Sequence, residues 1–385
     1  IYEGSMSINN ASYWLLFFAM SRNQESYFSR LKQDMAVGGV VLNAKHPGWG
    51  GRFSALVWLL RRRHLWSQWL FFRVQKGRLN GQKAGKLFRF GLILRSTGCL
   101  AAVQSLCKSR APDGIVLMNG AHYKQQIVLA YIREQGVQPL YMELGCLPDT
   151  TAIDGKGVNY NGAVPRDPCF YRGYHPSKDV DATLIKRPPR KPVGEPVDLP
   201  ARYIFVPFQV YDDTQILLHS PWVDSMESLY RALERCVSSL PEGWCFIVKE
   251  HPSARKSYEH IHDNHSRIVF ANANDTQELI EGARLVITIN STVGIESLLL
   301  GRPVLTLGNA FYNIPELVSH AASEEQLSQL IASPESWVYD EELVRHFVAW
   351  LSEQYLVPGR FRSYRDEHPK RMKQRIGEIL EGSQW

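Results

Sequence analysis

The chain has 385 residues, 44% of them hydrophobic, and 44 Lys and Arg against 38 Asp and Glu give a net charge of +6. That length suggests two domains, and the apolar fraction can supply two cores; no internal repeat or low-complexity segment stands out. Six cysteines (Cys99, Cys107, Cys146, Cys169, Cys236, Cys245) show no CxxC spacing, and several sit in apolar runs as small buried thiols do, so zinc is not expected.

Ile1 to Ser5 reads as a vector-derived remnant ahead of Met6, with neither the basic nor the apolar region of a signal peptide. No unbroken apolar run reaches the roughly 18 residues of a membrane-crossing helix, and a cytoplasmic chain is expected. Val40 to Leu42 is strand-like. From Gly51 to Leu100 there is no Asp or Glu, while cations from Arg61 to Arg95 interleave with Trp58, Trp66, Trp69, Phe71, Phe72 and Phe88. Such a segment, residues 53–95, suits amphipathic helices on an anionic membrane surface. A helix pair with an aromatic core face and solvated cations fits the pattern too. Nucleic-acid binding has no recognised motif behind it.

Next come a strand at Gly114 to Met118, a helix at Lys124 to Gln135, and a strand at Pro139 to Met142 that ends at Glu143. Gly120 and Gly145 read as backbone turns. Asp179-Val-Asp181 has the spacing of a metal-binding pair, but beside a proline-rich stretch it reads as a solvated turn. Lys186 to Pro200 holds five prolines in fifteen residues, which forbids a helix and marks a linker. Beyond it lie strands at Tyr203 to Pro207, Trp244 to Val248, Ile268 to Phe270, Leu285 to Ile289 and Val304 to Leu307. Helices at Ser225 to Leu240 and Thr276 to Glu281 separate them, and Glu341 to Glu353 and Arg362 to Leu380 are helically patterned.

Alternating strands and helices on both sides of the linker predict an α/β chain of two Rossmann-like domains. The expected division is 6–185, a linker at 186–200, a second domain at 201–338 and terminal helices at 339–385. Unbroken β-branched and leucine runs such as Leu285 to Ile289 suit parallel strands covered on both faces. Ligands of such sheets bind beyond the carboxyl ends of the strands. Lys249, His251 and the turn Asn290-Ser291-Thr292 each fall at such an end. The turn opens a helix whose N-terminus can take a phosphate, although Ser and Thr are ordinary caps there as well.

These motifs join the blocks Gly114-Ile-Val-Leu-Met-Asn-Gly120, Glu143-Leu-Gly-Cys-Leu-Pro148, Asp154-Gly-Lys-Gly-Val-Asn-Tyr160 and Val206-Pro-Phe-Gln-Val-Tyr-Asp-Asp-Thr-Gln-Ile216. In that order they resemble the bacterial capsule polysaccharide synthesis family, retaining β-Kdo transferases of the KpsC and KpsS type with a related O-antigen chain-terminating branch typified by WbbB. Residues 1–110 and 320–385 match only loosely. The resemblance implies a GT-B-like fold, two Rossmann-like domains facing a cleft with C-terminal helices crossing back. It implies CMP-Kdo as donor and a surface glycan or glycolipid as acceptor (capsule linker or O-antigen terminus); with the basic, aromatic segment 53–95, a peripheral place on the inner face of the inner membrane is expected. No metal or other cofactor is expected, since a departing monophosphate leaves few charges to neutralise.

Retention by two displacements needs a carboxylate nucleophile and a group that activates the acceptor. The resemblance gives these roles to Asp213, with Asp212 as its neighbour if the register shifts, and to Glu143. Lys249 and His251 would neutralise the phosphate, and Asn290, Ser291 and Thr292 would hold it. Glu296 would reach a ribose or base hydroxyl, Gln215 and His219 would line the Kdo pocket, and Asn159 and Tyr160 would contact acceptor or sugar. Local chemistry leaves alternatives open: Asp213 as a helix cap, Glu143 bonded to a loop amide, Glu296 as a surface residue of a first turn. A CMP-sialic acid transferase, a UDP-sugar 2-epimerase and a non-catalytic membrane scaffold are the competing functions.

Overall fold

Two six-stranded sheets organise the chain, each made of short, almost wholly apolar strands. The computed structural model describes residues 13–45, 50–178, 180, 194–361 and 363–383. Ile1 to Ser5, the pair Asp179 and Asp181, and residues 186–193 of the proline-rich stretch lie outside them.

The first unit opens with β1 (Trp14–Ala19), α1 (Arg22–Asp34) and β2 (Gly38–Asn43). Three helices follow, α2 (Arg52–Arg61), α3 (Trp66–Leu79) and α4 (Lys86–Ser109). Then come β3 (Gly114–Met118), α5 (Tyr123–Glu134), β4 (Gln138–Leu144) and β5 (Thr150–Asp154). β1 was not expected from the sequence, yet it is the strand between β2 and β3, parallel to both. Its run Trp-Leu-Leu-Phe-Phe-Ala is buried from Leu15 onward, and Ser21 then accepts from the Gln24 amide to start α1. β5 returns antiparallel to β4, placing Ala152 opposite Glu143.

The second unit contains α6 (Pro168–Arg172), β6 (Tyr203–Pro207), α7 (Thr214–His219), α8 (Met226–Cys236), β7 (Cys245–Lys249), β8 (Ile268–Phe270) and α9 (Thr276–Gly282). It continues with β9 (Leu285–Thr288), α10 (Val293–Leu299), β10 (Val304–Thr306), β11 (Ser319–His320), α11 (Glu324–Ala332) and α12 (Glu341–Trp350). Its order β8-β7-β6-β9-β10-β11 corresponds to the dinucleotide-fold order 3-2-1-4-5-6. All pairings are parallel. α8 is a typical cover: Ser225 and Ser228 form a capping box, and Met226, Leu229, Tyr230, Leu233 and Cys236 recur at helical spacing into the core.

β12 (Leu356–Pro358) and α13 (Glu367–Leu380) belong to the first unit, so the chain returns there as expected of its last helix. α13 buries His368, Met372, Ile376 and Ile379, against a cluster that includes Phe17, Tyr27 and Phe28. His368 Nδ1 lies 2.7 Å from the Pro358 carbonyl and Nε2 3.0 Å from the Tyr27 hydroxyl. A carbonyl can only accept, so Nδ1 carries the proton and Nε2 accepts from the tyrosine.

The division between units differs from the expected one. Residues up to Leu144, Thr151–Val158 and Val357 onward form the first; Gly145–Thr150 and Asn159–Leu356 form the second. The change of unit thus precedes the prolines, because residues 159–178 pack within the second unit. Tyr171 sets its ring against Phe347 and Trp350, and Arg172 binds Asp340, the cap of α12, at 2.9 Å. The described part of the proline-rich stretch is docked rather than a loose linker. Val197 exchanges two backbone bonds with the Asn274 side chain, each 3.0 Å, and packs with Leu199 on the sheet. Glu341 to Glu353 is helical only to Trp350 and closes in a wider turn, Leu351–Tyr355, within the second unit.

α4 qualifies the absence of an apolar run: at 24 residues it is long and apolar enough to cross a membrane by composition. More than half of its apolar window is buried, with Leu92, Ile93, Cys99, Leu100 and Val103 in the first unit's core.

His122 caps α5, its Nδ1 accepting from the Lys124 amide at 3.2 Å, and burial beside Lys124 lowers its pKa to about 4. The folded form therefore prefers neutral imidazole, whereas an unfolded His binds a proton near pH 6.5. The stability this contributes is complete above about pH 6.5 and is lost as pH falls from there to about 4. In His122→Asn, which keeps a capping acceptor, thermal-denaturation midpoints should fall less steeply across that window than in the wild type.

Candidate functional site at the switch point of the second sheet

Between β6 and β9 the order of the second sheet reverses, and the carboxyl ends of these strands open a crevice of the kind that holds ligands in open α/β sheets. Two side chains close its floor. Gln209, two residues past β6, donates from Nε2 to Asn290 Oδ1 at 3.2 Å, and its Oε1 accepts from the Asn290 amide at 3.3 Å. Both residues are buried. Asn290 Nδ2 reaches the carbonyls of Gln215 (3.0 Å), His219 (3.3 Å) and Asn309 (3.4 Å). Asn290 therefore fixes α7 and the loop after β10 to the end of β9. Gln209 was not singled out in the sequence, although it lies in the block that carried the resemblance.

The turn after β9 is built to order. The Ser291 amide donates to Thr288 Oγ1 at 3.2 Å, and Ser291 Oγ accepts from the Val293 amide at 3.2 Å. Tyr312 donates its hydroxyl to the Ser291 carbonyl at 2.5 Å. A Cβ on Gly294 would overlap that tyrosine ring, so glycine is needed for close approach rather than for its backbone angles. Thr292 opens α10 without a side-chain cap bond, and Glu296 lies on its first turn. Near them, Cys146 and Tyr312 are both pushed up by burial and by the Glu296 charge, the thiol to about 12.

Asp213 caps α7, Oδ1 accepting from the Gln215 amide at 2.9 Å. The capping alternative is thus realised, and it aims the carboxylate at the start of α7. His219 ends the same helix, and burial lowers its pKa, favouring neutral imidazole. Its ring stands 5.4 Å from that of Tyr160, and Nε2 lies 3.4 Å from Asn161 Nδ2. Asn159 turns the chain with φ of 53°. Arg166 then holds the Tyr160 carbonyl at 2.8 Å and stacks its guanidinium on the Tyr160 ring at 4.9 Å. Asn159 and Tyr160 belong to the second unit, where Tyr160 stands beside His219.

Lys249 has a structural task beside the expected one. Its ammonium donates to the carbonyls of Asn272 (2.8 Å) and Asn274, and burial lowers its pKa against the pull of Asp275. That charge ties β7 to the loop after β8. The adjacent Glu250 pairs with His262 at 2.8 Å. His251 Nδ1 accepts from the Ser253 amide at 3.0 Å, so a neutral ring carries its proton on Nε2.

Glu143 lies in the first unit near the end of β4. Oε2 accepts from Asn119 Nδ2 at 2.6 Å and Oε1 from the Leu144 amide at 3.1 Å. Asn119 and Gly120 both have positive φ, 62° and 85°, and form the turn that brings the amide to the carboxylate. Gly145 has no such angle; a side chain there would collide with Thr150. Among the described residues no group of three or more His, Cys, Asp or Glu is placed to hold a metal ion.

Two parallel-rich α/β sheets, each wound from strand–helix repeats, with the last helix returned to the first unit, define a GT-B-like fold. A solved structure with the same organisation is Thermosulfurimonas dismutans KpsC, beta Kdo 2,7 transferase: TM-score 0.50, 14% identity, covering 96% of this chain and 99% of that one. At that identity the likeness concerns the fold alone. Residues 197–352 match the family described as Capsule polysaccharide biosynthesis protein, and the resemblance read from the sequence blocks holds over this segment. Protein FixF of Sinorhizobium fredii (strain NBRC 101917 / NGR234) is 39% identical over 268 residues, 69% of this chain and 65% of that protein. The capsule polysaccharide export protein KpsS of Escherichia coli is 29% identical over 251 residues, 49% of this chain and 64% of that protein. The chain thus spans just under two thirds of either relative's length.

Asn290→Ala removes the donor shared by three carbonyls and the partner of a buried Gln209 amide. At about 1–3 kcal/mol for a buried group left unsatisfied, the substitution should cost about 3 kcal/mol in chemical denaturation. Amide exchange in residues 214–219 should rise at the same time.

Proposed function

We propose that this chain is a retaining glycosyltransferase of bacterial surface-polysaccharide synthesis that transfers Kdo from CMP-Kdo to a glycan or glycolipid acceptor. The observation that carries the reading is the coincidence of the capsule-family segment, residues 197–352, with the sheet whose switch point gathers Gln209, Asp213, His219, Asn290 and Ser291. A nucleoside monophosphate suits a crevice at the carboxyl ends of β6 and β9.

In this reading Asp213 attacks the anomeric carbon of Kdo and expels CMP, leaving a glycosyl ester on its carboxylate. Glu143 then takes the proton of the acceptor hydroxyl, which attacks the same carbon and releases Asp213; two inversions give net retention. Ser291, Thr292 and His251 hold the phosphate together with Lys249, whose ammonium has a third N–H beyond the two that meet the Asn272 and Asn274 carbonyls. Glu296 meets the nucleoside, Gln215 and neutral His219 face the sugar, and Asn159 and Tyr160 shape the pocket next to His219. No metal or other cofactor is assigned a part.

Asn is an efficient helix cap, so Asp213→Asn should fold and keep α7 in place while lacking a nucleophile. Intact-mass spectrometry after incubation with CMP-Kdo generated in situ should show one added Kdo residue on the wild type and on Asp212→Asn, and none on Asp213→Asn. Wild-type protein that neither gains mass nor releases CMP in the presence of a Kdo- or hexosamine-terminated acceptor would overturn the assignment.

A further inference from the structure

Eleven large hydrophobic side chains are exposed among the described residues, and seven of them fall between Phe53 and Leu94. Single exposed apolar residues are ordinary on a protein surface. Here they form a row. On α4, Leu87 (88% exposed), Phe90 (40%) and Leu94 (41%) follow a spacing of three and four residues, which puts them on one stripe. Leu92, Ile93, Cys99 and Leu100 occupy the opposite side and are buried in the first unit's core. The stripe continues across Trp66, whose ring lies 6.2 Å from Phe90 and whose indole N–H donates to the Leu59 carbonyl at 3.0 Å, to the exposed Leu60 of α2.

The charge that α2 to α4 themselves carry has one sign, and the acid that meets them from α5, Glu134, is paired with Arg62 at 2.7 Å. Exposed Lys86 and Arg95 flank it on α4, exposed Arg61 and Arg63 follow Leu60, and residues 51–100 contain no Asp or Glu. We propose that this face of α2 to α4 docks peripherally on a lipid bilayer bearing anionic headgroups, independently of the reaction assigned above. An aliphatic stripe rimmed by long cations matches the layering of such a surface: leucines enter the acyl boundary while lysine and arginine heads stay with the phosphates. Single-stranded nucleic acid would use the cations and could stack on Phe90 and Trp66, but it has no use for Leu87, the most exposed of these apolar residues, or for Leu60 and Leu94. Because the opposite side of α4 is protein core, the helix lies along the surface and does not cross it.

Sedimentation of the intact chain with vesicles tests this. Binding to phosphatidylcholine vesicles containing phosphatidylglycerol should exceed binding to phosphatidylcholine alone, and should weaken with added salt. Leu87→Gln with Leu94→Gln should lower the partition constant by at least about tenfold, and Lys86→Gln with Arg95→Gln by about tenfold or more. Both pairs are exposed, so melting by circular dichroism should not change. Equal binding to neutral vesicles, or wild-type binding by the Leu pair, would overturn the proposal. A wild-type dimer that Leu87→Gln with Leu94→Gln dissociates would assign the stripe to a second copy instead. Bound protein that resists salt and alkaline carbonate would mean insertion rather than docking.

Discussion

The reciprocal pairing of Gln209 with Asn290 is the constraint on which the second unit's crevice depends. β6 and β9 are neighbours with only a short register in common, Ile204 with Leu285 and Phe205 with Val286. Beyond it the two chains diverge, and their polar backbone groups would be left to a buried space. Two primary amides are well suited to that place, since each can donate and accept at once. The same Asn290 that closes the gap also gathers the carbonyls of α7 and of the loop after β10. The positions of Asp213 and His219, at the two ends of α7, therefore follow from a bond made at neither of them.

Support from behind makes the turn after β9 rigid. Tyr312 is fully buried, donates to Ser291, and leaves no space for a side chain at Gly294. A hydroxyl-bearing turn held in this way presents its groups without rearrangement when a ligand arrives, which is how preorganised sites lower the cost of binding. Lys249 illustrates the opposite case. Its position at a strand end suits an anion, but two of its three N–H groups are already committed to carbonyls that would otherwise be unmet.

Much of the architecture was legible because parallel strands covered on both faces are written as unbroken apolar runs; Tyr203 to Pro207, Leu285 to Ile289 and Gly114 to Met118 all emerge as such. β1 carries the same signal in Trp14 to Ala19, but inside the stretch 1–110 where the family blocks give it no support. The division between units departs from the expected one for a different reason. Proline density reports backbone stiffness, not which core a segment joins, and the attachment of residues 159–178 is decided by Tyr171 and Arg172 meeting α12 far along the chain. Side-chain destinations were hardest to foresee. Nothing local distinguishes a lysine that will meet two carbonyls from one that will meet a phosphate, and Gln209 acquires its meaning only once β6 and β9 lie side by side.

The return of β12 and α13 bears on how the molecule is made. The first unit's sheet ends in β12, next to β5, and Thr151 Oγ1 donates to the Gly359 carbonyl at 2.7 Å. Its core also needs Met372 and Ile376 to cover Phe17 and Phe28. These contacts join residues far apart in the sequence, Thr151 and Gly359 by 208 positions. The first unit thus cannot be completed until α13 has been made, whereas everything the second unit requires is already available by Leu356. During synthesis the nascent first sheet must wait with an uncovered apolar face, an interval in which a chaperone has something to hold.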